Sequence, residues 1–156
     1  MSITLPKRKG NSPNVSRGIP HIQLDQTSSK AVLTQLTEWA FSQPRVVERP
    51  SRASLPGTRA LNLAPEFEPN GEAMIVGREF AHIHPMTSGS GSMHMRLPPK
   101  MASDIVDAGW GEWHPFALDG TMPNMVMVYS PRTKDELEVI KAIITSAVAF
   151  ASANDV

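Results

Sequence analysis

Apolar side chains recur at helical spacing near the two ends of this chain and at every second position through its middle, and that change of period predicts its elements. Between Ser28 and Gln43 the positions Val32, Leu33, Leu36, Trp39 and Ala40 share one helical face, and Pro44 closes the segment as a first helix. Near the other end Thr133 and Glu136 form an S/T-x-x-E capping box, and Leu137, Ile140, Ile144 and Val148 make the core-facing stripe of a longer helix. Residues 45–63 break into short apolar pieces around Pro50 and Pro56, as two brief strands would; Asn70 and Gly71 read as a turn and residues 73–84 as a strand. Residues 98–109 predict a short helix with Met101 and Ile105 on one face and Gly109 at its end, and NMVMVYSP (124–131) predicts a buried strand. Strands flanked by helices without regular βαβ alternation imply an α+β fold, a mostly antiparallel sheet with helices packed on one side. Residues 1–26 hold Pro6, Pro13, Pro20 and two glycines without apolar period, so an irregular N-terminal arm is expected ahead of a single domain of residues 27–156.

The alternating segments also place the chemistry. In an extended strand Arg78, Phe80, His82 and His84 point one way and Ala81 and Ile83 the other, while His94 and Arg96 share a face opposite Met93, Met95 and Leu97. Pairing the two segments as a hairpin around the Gly/Ser tract buries Ile83 with the methionines and gathers His82, His84, His94 and Arg96 on the reverse face. With Gly89 at the centre of the turn, residues whose numbers sum to 178 face each other, which sets His84 opposite His94 and His82 opposite Arg96. A slip of two residues would keep the face and exchange the partners. A further histidine, His114, stands in GWGEWHP (109–115) beside Glu112, where Trp110 and Trp113 can wall a pocket.

Composition narrows the chemistry. A chain of 156 residues suits one domain with a sizeable core. It has no cysteine, which removes disulfides, thiolate metal sites and cysteine nucleophiles and leaves histidine, carboxylate and hydroxyl groups. Fifteen basic and fifteen acidic residues give no field for polyanions, so no nucleic-acid partner is expected. The basic N-terminus has no apolar run behind it, and the apolar run after Lys141 is shorter than the roughly 20 residues of a membrane span. The expectation is a cytoplasmic chain without a membrane partner, with a homodimer left open. No G-x-S-x-G elbow or phosphate loop is present, and Ser88, Ser90 and Ser92 read as part of a loose turn.

Four short blocks in fixed order, REFAHIH (78–84), MHMRL (93–97), GWGEWHP and VYSPR (128–132), followed by a long amphipathic helix, resemble the C-terminal domain of fungal luciferases and the bacterial luciferase-domain proteins related to them. All four histidines from His82 to His114 fall on histidine positions of that pattern, as do Trp110, Tyr129, Pro131 and Arg132 on their counterparts. Fungal luciferases have Gln and Arg where Glu112 and Trp113 stand, and an N-terminal membrane anchor with no counterpart in this sequence.

The resemblance implies an oxygenase that adds dioxygen to a small hydroxylated pyrone or enol-type aromatic with no cofactor. It would make His82, His84, His94 and His114 catalytic, the base being one of the first three. Arg78, Arg96, Trp110, Glu112, Trp113, Tyr129 and Arg132 would meet the substrate, Arg96 or Arg132 holding an anion and the two indoles sandwiching a ring. Two other readings of the same residues stay open: a metal enzyme with one divalent metal ion on His82, His84 and His94, and a non-catalytic small-molecule binding protein.

Overall fold

The computed structural model describes residues 3–153; Met1, Ser2 and residues 154–156 lie outside it, and with them the outer ends of the arm and of the domain. Six strands form one antiparallel sheet in the order β1-β2-β3-β4-β6-β5: β1 Val46–Pro50, β2 Arg59–Leu63, β3 Glu79–Ile83, β4 Met93–Arg96, β5 Gly111–Trp113 and β6 Met125–Val128. Helices α1 (Lys30–Phe41), α2 (Pro99–Asp107) and α4 (Lys134–Ala151) cover one face, and α3 (Pro115–Leu118) is a single turn beside β6. The fold is α+β, as the change of period implies.

Alternation sorts most of the sheet. Leu61, Leu63, Ile83, Met93, Met95, Val126 and Val128 turn toward the helices and join Leu36, Ile105, Leu137, Ile140 and Ile144 in one core. Gly111 lets β5 approach β6, since a Cβ there would collide with the Met127 carbonyl. The last helix opens as its capping box predicts, the Glu136 N–H donating to Thr133 Oγ1 at 3.2 Å. The Glu136 carboxylate, however, accepts from the backbone N–H and guanidinium of Arg132 rather than closing back on Thr133.

Two expectations about β3 need correction. The strand begins at Glu79, not near residue 73: Asn70 caps a 3-10 turn at Gly71–Ala73, and Gly77, at φ 55°, redirects the chain before the sheet starts. The register against β2 then slips, with Leu61 opposite Ala81 but Asn62 opposite Glu79, so that Phe80 is an extra residue. A bulge of this kind reverses the alternation on one side of it. Phe80 therefore enters the core instead of sharing a face with the histidines, and Glu79 takes its place beside His82.

Between β3 and β4 the observed pairs are Ala81 with Met95, His82 with His94 and Ile83 with Met93, two residues away from the expected pairing. The face survives this slip and the partners change. His84 now lies across from Ser92, its N–H donating to the Ser92 carbonyl at 2.9 Å. Nor is the Gly/Ser tract loose: Ser90 and Ser92 are buried, and Gly91, at φ 83°, lies so close to Ser28 that any Cβ would collide with it.

The arm has neither helix nor strand over residues 3–29, apart from one bridge between Val15 and Gln23, yet it is fastened along its length. Trp110 Nε1–H donates to the Pro6 carbonyl at 2.6 Å, Arg8 N–H to the Ala108 carbonyl at 2.9 Å, and Ser130 N–H to Gln23 Oε1 at 2.9 Å. Among the described residues no helix is long and apolar enough to cross a membrane.

Candidate functional site

The face of the sheet turned away from the helices gathers all five histidines of the chain. β3 supplies His82 and the residue after it supplies His84; β4 supplies His94, and the chain leaving β5 supplies His114. The fifth, His21, comes from the arm. Its ring stacks on that of His94, with 5.2 Å between centroids and 6° between planes. His94 is the centre of the group, its ring lying 5.1 Å from that of His82, 4.8 Å from His84 and 4.7 Å from His114. A cavity of about 470 Å³ opens above them. Its walls are largely apolar, formed by Ile19 and Ile22 of the arm, Leu55, Phe116, Met122 and Met125, while His21, His84, His94 and His114 supply the polar part and Arg52 the one cationic side chain among the lining residues.

A continuous line of close polar contacts runs beneath the cavity. Glu79 Oε2 lies 2.8 Å from His82 Nδ1, His82 Nε2 lies 3.0 Å from His94 Nδ1, and His94 Nε2 lies 3.1 Å from His21 Nδ1. His21 Nε2 lies 3.1 Å from Glu112 Oε2, and Glu112 Oε1 accepts from the Tyr129 hydroxyl at 2.9 Å. Burial works against ionisation of Glu79, but donation from His82, the Arg52 N–H and Ser51 outweighs it and holds the carboxyl below its usual range. Glu112 is likewise held low, first by the bond from His21 and then by Tyr129. The same carboxylate, with burial as the larger cause, raises the Tyr129 hydroxyl.

Three of these imidazoles are held neutral. Burial, reinforced by the neighbouring His82 and His21 rings, lowers His84 to about 3. Burial also lowers His94 well below 6.5, and lowers His114 to about 4. A neutral imidazole has one N–H and one lone pair, and the partners decide which nitrogen holds which. The Ser92 hydroxyl donates to the Gly89 carbonyl at 2.7 Å, so the 2.8 Å contact with His84 is donated by His84 Nδ1–H. His84 Nε2 is then bare. At His114 the opposite holds: Nδ1 accepts the Phe116 N–H at 2.9 Å, and the proton sits on Nε2.

Of the expected substrate residues, Glu112 and Tyr129 do join the histidines, through the hydrogen bonds above. The others do not. Arg78 donates to the carbonyls of Leu63, Ala64 and Phe67, and Arg96 to those of Pro123 and Met74. Arg132 is engaged by Glu136, Gln26 and the Lys9 carbonyl. Trp113 faces the core because β5 pairs Glu112 with Met127 and Trp113 with Val126, and Trp110 is covered by the arm. The indoles therefore close the opposite side of the sheet and do not wall the cavity. His21, Glu79 and Arg52 were not expected at the site. The one sequence signal for His21 is its place in IPHIQ, an apolar patch within an otherwise polar arm.

A model of the luciferase domain matches residues 77–147. The luciferase of Armillaria gallica is 30% identical over 76 residues, covering 47% of this chain and 28% of that protein. That of Neonothopanus nambi is 24% identical over 165 residues, covering 94% of this chain and 60% of that protein. The chain thus spans less than two thirds of the luciferases it is similar to. No solved structure matches it.

Proposed function

We propose that the chain, whose residues 77–147 match a model of the luciferase domain, catalyses a luciferase-like oxidation, in which dioxygen reacts with a small hydroxylated pyrone or related enol held over the histidine floor, with no organic cofactor. The observation that carries the reading is the cavity itself: apolar walls above a floor of neutral imidazoles. An enol O–H placed there meets a proton acceptor in His84 Nε2 and a donor in His114 Nε2–H. Loss of the proton leaves an electron-rich enolate; its carbon passes electrons to dioxygen as the C–O bond forms, giving a peroxide. Apolar walls exclude water, which favours a planar apolar substrate and strengthens each charge contact inside. Arg52, at the cavity rim, is the cation available to a substrate carboxylate or enolate.

Oxygen uptake by the purified chain with a panel of hydroxylated pyrones and related enols tests this. Uptake should depend on the chain and fall by about 100-fold or more in His84→Ala, the scale of general acid-base assistance. Saturable binding of panel members with no uptake would instead make this a binding protein, and neither binding nor uptake would remove the reading altogether.

A further inference from the structure

The hydrogen-bond partners identify which ring nitrogen is bare in His82, His84 and His94. His82 Nδ1–H donates to the Glu79 carboxylate, so a neutral His82 presents its lone pair at Nε2. His21 Nε2–H donates to the Glu112 carboxylate, which leaves His21 Nδ1 to accept; His94 Nε2 must then be the donor to it, and the lone pair of His94 is at Nδ1. His82 Nε2 and His94 Nδ1 are the two atoms that face each other at 3.0 Å. Two lone pairs at that distance repel unless a cation stands between or beside them. The bare Nε2 of His84, which has no hydrogen-bond partner among the described residues, is the third, and one ring nitrogen of each of His82, His84 and His94 lies within 4.8 Å of the others.

We propose that His82 Nε2, His84 Nε2 and His94 Nδ1 bind one divalent first-row transition-metal ion. Metal to imidazole bonds of about 2.0 to 2.1 Å set ligand nitrogens roughly 2.8 to 3.4 Å apart, between octahedral and tetrahedral angles. The His82 to His94 separation is already there. Each ligand ring donates its other N–H to a fixed partner: Glu79 for His82, Ser92 for His84, and His21 backed by Glu112 for His94. Such partners orient metal-bound imidazoles and increase their basicity. Three neutral nitrogens without thiolate suit zinc, iron, cobalt or nickel and not magnesium or calcium, which prefer oxygen. His84 and His94 line the cavity, so the ion would have an open side.

A second trio, His21, His94 and His114, is equally compact but has no bare set of nitrogens. His114 Nδ1 is occupied by the Phe116 N–H, and one proton already satisfies the contact between His94 and His21. With the ion bound, His84 Nε2 would be a ligand and no longer a base, and an enol or a water would lose its proton to solvent or substrate at the ion instead; metal binding itself does not depend on the oxidation.

Full-length chain prepared without a histidine tag, stripped with a chelator and titrated with Co(II), decides the matter without any substrate. Saturable visible d–d bands at one ion per chain, competed away by Zn(II), are expected. His84→Ala should lose the bands, and His114→Ala should keep them. Ser92→Ala, which removes the partner of the His84 ring, should remain folded and weaken Co(II) binding by about 10- to 100-fold; it serves as the test if His84→Ala does not fold. A folded wild-type chain with no saturable bands would overturn the proposal, leaving a shared proton between His82 and His94. Loss of binding in His114→Ala with normal binding in Ser92→Ala would overturn the ligand set.

Discussion

The two faces of the sheet are made by alternate residues of the same strands and are closed in unlike ways. On one face Met95, Val126 and Val128 lie under α1, α2 and α4, where any apolar side chain of suitable volume would serve. On the other, His94 and Glu112 lie under an arm without regular structure, and their polar groups are held by particular partners, His21 for both and Tyr129 for Glu112. Buried polar groups cost stability unless they are paired, whereas buried apolar groups need only contact. The titratable side chains accordingly collect on the face whose cover is irregular, because an irregular segment can deliver a single side chain such as His21 to a single atom.

The contrast is broken most severely by a charge on the apolar face. Met95→Glu, at a fully buried position with no polar partner, should cost about 4 kcal/mol or more and abolish cooperative unfolding in circular dichroism. Phe80→Ala comes next, with an expected loss of about 3 to 5 kcal/mol, because the bulge puts this ring in the core. A loss under about 1 kcal/mol in denaturant titration would mean that the ring lies on the histidine face as simple alternation requires.

Acid should act through the histidine face. In the unfolded chain His84 and His114 take up protons as the pH falls through 6.5, while in the folded chain they resist until about 3 and about 4. The unfolded state therefore binds more protons in that window, and stability falls as the pH drops below 6.5, by at most about 1.4 kcal/mol per pH unit for each group. Glu79 has the same sign at lower pH: its depressed value contributes stability above the ordinary carboxylate range that is lost as the pH falls through the folded value. Denaturant midpoints at pH 7, 6 and 5 should decline steadily, and His114→Ala should flatten the decline. A midpoint independent of pH would mean that these rings are hydrated.

Adjacent residues of β5 give the smallest effects and the finest comparison. Glu112→Gln removes the charge that His21 and Tyr129 donate to, and should cost about 1 to 3 kcal/mol while lowering turnover. Trp113→Phe, one residue on but on the other face, should cost about 1 kcal/mol and leave turnover within about twofold. Equal effects on turnover would erase the distinction between the faces.

What could be read in advance follows the same division. Helix periods and strand parity respond to averaged apolar contact, so α1, α4 and the common face of His82, His84 and His94 were visible in the residue pattern. The bulge was not, because Phe80 suits a buried position on either face. The hairpin register depended on how Gly91 packs against Ser28, a contact 63 residues away in sequence that no local pattern announces. Arginine and tryptophan identity suggested ligand contacts, but Arg96 and Arg132 satisfy carbonyls and a carboxylate of their own chain. His21 came from a segment with no period to read.

Long-range ¹⁵N–¹H correlation spectra of the histidine rings at pH 7 test most directly whether neutral imidazoles with bare nitrogens lie beneath the cavity. Neutral rings are expected for His84, His94 and His114, with the proton on Nδ1 of His84 and on Nε2 of His94 and His114. A doubly protonated His84 or His94, or a proton on Nε2 of His84, would contradict that arrangement.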